Sequence, residues 1–373
     1  MGSASLPGDG IDRSELTDVL ENGVPHNRLG GISAIEYSGQ GTGYLLLPDR
    51  GPADGATRYH CRYHRVELSV DPAKSPAVVV KLQGTTFLKT EEGNDLTGSL
   101  TAFDRVHPER GLRFDPEGLR LTRSGTLMIS DEYGPVIAEF QESGKRMRTL
   151  KIPAKFQISH PASSPEEEAT ANSQGRQPNG GMEGLALTPD GKKLLGAMQR
   201  PLIQDSLPGK NGKRIGLNCR LLEFDLDQGG TREFLYRLDE TGNGLSEILA
   251  VDQDKFLVIE RDGKAGTEAV HKKIYAIDRS SATDIGGLET VPAKDVPKGV
   301  VPVKKKLLID LLDPRFGMSG SLAPEKIEGL AFGPALPDGS RLLVVAIDND
   351  FVSSRPILFC CFSVSKDEFE PSK

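Results

Sequence analysis

Acidic residues return at one place in a pattern that repeats along the chain. "DPEGLRLT" (Asp115–Thr122), "GGMEGLALT" (Gly180–Thr188), "LSEILAVD" (Leu245–Asp252) and "KIEGLAFG" (Lys326–Gly333) place Glu117, Glu183, Glu247 and Glu328 there. "GGISAIEYS" (Gly30–Ser38) places Ser33 in the same slot. After a turn, each copy continues into a second apolar run with a polar end. Those ends are Asp49-Arg50, Asp131-Glu132, Gln199-Arg200, Glu260-Arg261 and Asp348-Asn349. Carboxylates held close together raise one another's pKa or are neutralised by a cation. A hard cation with oxygen ligands, Ca²⁺ by preference, suits such a set. Two other roles fit the same acids: locking neighbouring strands together through Arg or backbone N–H groups, and direct acid/base work.

Positioning these residues requires strands. A third run follows in most copies: "VIAEF", "RLLEFDL", "KIYAIDR" and "ILFCCFSV". A fourth reads "RMRTLKI", "TREFLYRL" and "KKLLIDLL". The repeat is therefore a four-stranded antiparallel meander. Such a unit cannot bury both faces alone, so copies stack around an axis. The expected fold is all-β, a single β-propeller with five blade signatures. A sixth, degenerate blade has room in Arg58–Asp104, so five or six blades are expected. The intervals between slots exceed the about 40–50 residues of a simple blade. The excess falls in two polar loops, Ser159–Gly180 and Arg279–Gly299, both expected to be mobile. Residues 1–28 form an N-terminal segment, residues 29–365 the propeller and residues 366–373 a tail. "SELTDVL" (Ser14–Leu20) is expected to supply the last blade's missing strand.

The 373 residues carry 42 Gly and 25 Pro, which favours many turns and short strands over a helix bundle. A net charge of −7 argues against nucleic acid as partner. No apolar run approaches the roughly 18 residues of a membrane span. "MGS" reads as a vector-derived start, so an export signal is expected to have been removed from a secreted or periplasmic protein. No G-x-S-x-G elbow occurs, and the six histidines include no metal pair at helical spacing. His60 and His64 in "YHCRYH" read as surface residues. A disulfide between Cys61 and Cys219 is one option; no CxxC is present.

The combination of "GGISAIEY…YLLLPDRG", "DPEGLRLTRSGTLMISDEYGP", "MEGLALTPDGKKLLGAMQ" and "KIEGLAFGP…LLVVAIDND" resembles the phytase-like family, "esterase-like activity of phytase". The resemblance spans roughly Leu29 to Val364. It implies a propeller, and hydrolysis of phosphate monoesters or other esters. Together with the residue pattern, it leads to a Ca²⁺-assisted hydrolase whose small anionic ester substrate binds at one mouth of the channel. Glu117, Glu183, Glu247, Glu328, Asp49 and Asp348 are the expected metal ligands. Asp131, Glu132 and Glu260 are the expected catalytic carboxylates. Arg50, Arg200 and Arg261, read as equivalent positions, are expected to bind the anionic group. The protein is expected to be a monomer. Two alternatives stand beside this reading: a non-catalytic propeller that binds protein or glycan, and a lactonase-like Ca²⁺ enzyme.

Overall fold

Strand-forming runs broken by Gly, Asp and Pro turns give a nearly all-β chain. A computed structural model describes residues 1–107, 110–210 and 213–369. The expected residues 366–373 tail lies partly outside them. Five four-stranded antiparallel sheets are arranged as a five-bladed β-propeller.

Strand β1 (Gly2–Leu6) opens the chain. One sheet joins β2 (Ile32–Tyr37), β3 (Gly43–Pro48), β4 (Arg62–Val70) and β5 (Val78–Phe87). The next joins β6 (Pro116–Leu121), β7 (Leu127–Asp131), β8 (Val136–Phe140) and β9 (Arg146–Leu150). A short helix α1 (Pro165–Ala171) follows, capped by the Ser164 side chain. The third sheet joins β10 (Met182–Leu187) and β11 (Lys193–Met198). A small ribbon intervenes, β12 (Leu207–Pro208) with β13 (Arg214–Ile215). Strands β14 (Asn218–Asp225) and β15 (Thr231–Arg237) then complete the third sheet. The fourth joins β16 (Gly244–Ala250), β17 (Lys255–Arg261), β18 (Lys272–Asp278) and β19 (Lys304–Asp310). The last joins β20 (Ile327–Ala335), β21 (Arg341–Ile347) and β22 (Ile357–Val364) to β1.

Contacts divide the chain into two compact units. The first comprises Met1–Asp131, Ile137–Leu150 and Glu328–Lys366, and holds the first, second and last sheets. The second comprises Glu132–Val136, Lys151–Ile327 and Asp367–Lys373, and holds the third and fourth. In the first unit, Ile35, Leu46, Val66, Val344 and Phe359 belong to one apolar cluster. In the second, Leu195, Leu221, Phe234, Ile248 and Val258 do the same.

Several expectations change. The last sheet takes its fourth strand from Gly2–Leu6, paired to β22 from Gly2↔Cys361 to Leu6↔Ile357, and not from Ser14–Leu20. Ser14–Leu20 joins none of the five sheets: Val19 forms an isolated bridge with Pro25, and Leu20 sits in a cluster with Tyr59 and Phe351. No sixth blade lies in Arg58–Asp104, because that stretch supplies β4 and β5 of the first sheet. The two long loops are anchored. Arg176 is buried and donates to Glu168 and the Tyr133 carbonyl, while Ile285 and Val291 pack on Leu235. Cys61 and Cys219 are buried thiols outside any disulfide.

His64 is fully buried on β4, not a surface residue, with its Nδ1 2.9 Å from Thr85 Oγ1. Burial disfavours its charged form and lowers its pKa to about 4. The folded value thus lies below the unfolded value near 6.5. The neutral imidazole's contribution is complete above the unfolded value, declines as pH falls below it, and is gone once pH has dropped through about 4. The loss is on the order of 3 kcal/mol, at roughly 1.4 kcal/mol per pKa unit. His64→Gln should flatten the fall in unfolding free energy between those limits, read by urea melts at several pH values. Parallel curves for variant and wild type would count against the buried neutral histidine.

Candidate functional site

Pairing register shows where the repeated glutamate sits. In four first strands the ladder skips residues: between Ile32 and Ala34, Pro116 and Leu119, Met182 and Gly184, and Leu245 and Glu247. The skipped positions include Ser33, Glu117, Glu183 and Ser246. A bulge re-aims the side chain it extrudes. The slot is therefore a bulge position, and in the fourth copy it holds Ser246. The expected assignment of Glu247 is one residue too far. Glu247 occupies the place of Gly118, Gly184 and Gly329 in the other "EGL" copies.

Those glycines have a steric reason. A Cβ on Gly184 would come within 2.6 Å of Ile248 N, and one on Gly329 within 3.0 Å of Ile35 N. The motif lets the next first strand approach closely. Glu247 does different work there. Its Oε1 accepts from Leu185 N at 3.3 Å and Ile248 N at 2.9 Å, tying β16 to β10. That is the locking role.

The opposing strands shift likewise. Pro48, Asp131, Met198 and Glu260 face the residues just before the slots. The residues that follow them are equivalent: Asp49, Glu132, Gln199 and Arg261, with Asp348 in the last sheet. Arg50 and Arg200 thus share a position, but Arg261 stands one earlier, where the others carry acid or amide. The expected equivalence of three arginines fails because runs of different length end alike in sequence.

In the second unit these two positions bond to each other. The Gln199 amide donates to Glu183 Oε1, and Arg261 Nε donates to Ser246 Oγ at 2.7 Å. Arg200 Nε donates to Gln199 Oε1 at 3.2 Å. Glu132 Oε1 accepts from Gly181 N at 3.1 Å.

The first unit carries more acid. Ser33 Oγ donates to Glu328 Oε2 at 3.4 Å. Carboxylate oxygens of Asp115 and Glu117 lie within 4.8 Å of one another. Asp131 Oδ1 accepts from Asp115 N at 2.8 Å. Asp49 Oδ1 accepts from Gly51 N at 2.8 Å. Glu117, Asp131, Glu328 and Asp348 are all buried. Arg50 is committed to acid: its guanidinium reaches Asp115 Oδ2 at 2.6 Å and Asp54 at 3.1 Å. That is ordinary ion pairing, and Asp115 is a partner the repeat pattern did not single out.

Glu260 belongs to a separate network in the second unit. It is fully buried and accepts from Tyr236 Oη at 2.8 Å, Lys305 Nζ at 2.7 Å, Asp239 N at 2.8 Å and Asn243 Nδ2 at 2.8 Å. His271 Nε2 stands 3.4 Å from its Oε1 and 3.9 Å from Asp239 Oδ2. Lys305 Nζ also reaches Asp239 Oδ1 at 2.5 Å, and Tyr275 Oη donates to Asp239 Oδ2. Burial works against the charged form of Asp239, but hydrogen bonds from Lys305 and Tyr275 win and hold its pKa below the usual range. Burial lowers the His271 pKa, against the pull of Glu260. Burial raises both Tyr236 and Tyr275, helped by the acids they face. The repeat pattern does not single out Asp239, His271 or Lys305: Asp239 follows β15, His271 precedes β18 and Lys305 lies on β19, and only side-chain reach in the folded chain brings them to Glu260.

A family model described as phytase-like, "esterase-like activity of phytase", matches residues 27–351. The chain belongs to the phytase-like family. An uncharacterized secreted protein of Arthroderma benhamiae is 24% identical over 304 residues, covering 64% of this chain. The phytase-like chain spans 59% of that relative's length. Among solved structures, a Bacteroides caccae protein of unknown function overlaps 88% of this chain and 74% of its own, at 10% identity and a TM-score of 0.32. An ancestral GH74 enzyme overlaps 86% of this chain and 38% of its own, at 10% identity and a TM-score of 0.37. Among the described residues, no helix is long and apolar enough to cross a membrane.

Proposed function

We propose that this phytase-like protein is a secreted hydrolase of esters, phosphate monoesters among them, assisted by Ca²⁺. The observation that carries this is the acid of the first unit: Glu117 and Glu328 in slots, Asp49 and Asp348 at the facing positions. The donor set is all oxygen, which suits a hard cation of Ca²⁺ type over a nitrogen- or sulfur-seeking metal. Glu117, Glu328, Asp49 and Asp348 would hold it. Such an ion supplies charge stabilisation to a reacting phosphoryl or carbonyl oxygen.

The chain's own groups do the rest. Asp131 is the carboxylate assigned to move the proton of an attacking water, and its hydrogen bond from Asp115 N fixes its orientation. Arg50 holds Asp115 in place through two hydrogen bonds, one from its backbone N–H. Glu183 Oε1 and Glu132 Oε1 accept from amide and backbone donors in the second unit, which suits a positioning role.

Arg200 supplies fixed positive charge for an anionic substrate on this reading. Arg200→Ala is expected to weaken an anionic ester by about 1.5–3 kcal/mol, the scale of a hydrogen bond to a charged group. A neutral ester should be nearly unaffected. Steady-state kinetics on the two substrates decides it, and equal losses on both would make Arg200 a structural residue. Chelation provides the test of the ion: melting temperature should fall in EGTA and recover with Ca²⁺. No shift, with no calcium by elemental analysis, would remove Ca²⁺ from the account.

A further inference from the structure

We infer that Asp239, Glu260 and His271 form a second metal site, for a tetrahedral divalent transition metal of the zinc class. One imidazole nitrogen and two carboxylate oxygens are a ligand set that zinc accepts. With bonds of about 2.0–2.2 Å, ligand atoms around a tetrahedral ion sit roughly 3.3–3.6 Å apart. His271 Nε2 lies 3.4 Å from Glu260 Oε1 and 3.9 Å from Asp239 Oδ2. All three ligand atoms fall within 4.8 Å of one another. The two edges that meet at His271 Nε2 thus lie within a few tenths of an ångström of the tetrahedral spacing.

The surroundings fix those atoms. Tyr236 and Lys305 hold the far oxygen of Glu260, while Asp239 N and Asn243 brace the near one. Lys305 holds the far oxygen of Asp239. Outer partners of this kind orient ligands and tune affinity. Tyr275 Oη donates to Asp239 Oδ2 and lies 3.4 Å from His271 Nε2, so an ion would take the place of that hydroxyl at the two ligand atoms. Two carboxylates against one ammonium leave a charge of −1, which a divalent ion reverses. Asp239 is partly exposed while Glu260 and His271 are buried, so an ion enters past Asp239. The nitrogen ligand and low coordination separate this site from a Ca²⁺ site, which takes six to eight oxygens.

Titration of the chelator-stripped whole protein with Co²⁺, followed by visible absorption, tests the site without any activity readout. One equivalent should give the intense bands of tetrahedral Co²⁺, displaced by Zn²⁺ but not by Ca²⁺. His271→Asn should weaken binding more than about 100-fold, the top of the range for losing even an outer partner. Lys305→Met, which removes an outer partner of both carboxylates, should weaken it by about 10–100-fold. Far-UV circular dichroism checks the variants' fold, and Asp239→Asn, at a partly exposed position, serves if His271→Asn fails to fold. No saturable Co²⁺ binding by the wild type, or binding that persists in both Asp239→Asn and His271→Asn, would overturn the inference.

Discussion

Arg220→Ala is expected to destabilise the protein by about 3–5 kcal/mol, the cost of leaving buried charge without its partner. Arg220 is fully buried on β14 and holds two acids at once. Its guanidinium reaches Asp205 at 2.7 and 3.2 Å and Glu233 at 2.6 Å. It also donates to the Leu288 carbonyl at 3.0 Å, which fastens the long connection after β18. Burial keeps the Glu233 pKa above the usual carboxylate range even beside Arg220 and Lys155. Removing the guanidinium leaves Asp205 and Glu233 in the interior with Lys155 as the remaining cation near Glu233. Urea unfolding followed by far-UV circular dichroism measures the change. A loss under about 1 kcal/mol would mean that water or a rearranged loop solvates the acids. In that case the connection would also become a protease target before the sheets do.

The second large effect concerns activity. Glu117→Gln and Glu328→Gln should each lower Ca²⁺-dependent hydrolysis by about 100-fold or more, because a metal's charge stabilisation amounts to several kcal/mol. Each swap keeps shape and the ability to accept a hydrogen bond, so far-UV circular dichroism without Ca²⁺ should match the wild type. Ca²⁺ should then raise the melting temperature of the variants less than that of the wild type. Full activity in both variants would move the ion, if any, away from the slots. Lost activity with an unchanged Ca²⁺ effect on melting would make the glutamates catalytic or positioning groups and not ligands.

Much of the fold is legible in the repeats, because each meander writes the same apolar runs and turns. The strands read from "VIAEF", "RLLEFDL", "KIYAIDR" and "ILFCCFSV" are the third strands observed. Register is less legible. Alternation along a strand does not reveal a bulge, and one skipped residue moves every later side chain to the other face. Hence the sequence pattern alone puts Glu247 in a slot that belongs to Ser246 and matches Arg261 to Arg50 and Arg200. The origin of the last sheet's fourth strand is also hidden. "GSASL" carries little apolar signal, yet Leu6 is buried and five residues pair with β22. Buried charge is the third blind spot. Arg220, Arg62 and Lys272 sit on strands where a lone cation suggests a solvated face, and all three are fully buried beside Asp205, Asp12 and Asp262. Their partners lie far along the chain or beyond a loop, so only tertiary structure discloses the pairing.

The most direct test of the central claim is hydrolysis by the purified wild-type protein. A phosphate monoester and a neutral carboxylic ester would be assayed side by side, after EGTA treatment and again after adding Ca²⁺. The account predicts turnover that EGTA abolishes and Ca²⁺ restores, with the phosphate monoester among the substrates. Turnover of neither ester with Ca²⁺ present, or turnover indifferent to EGTA, would contradict it.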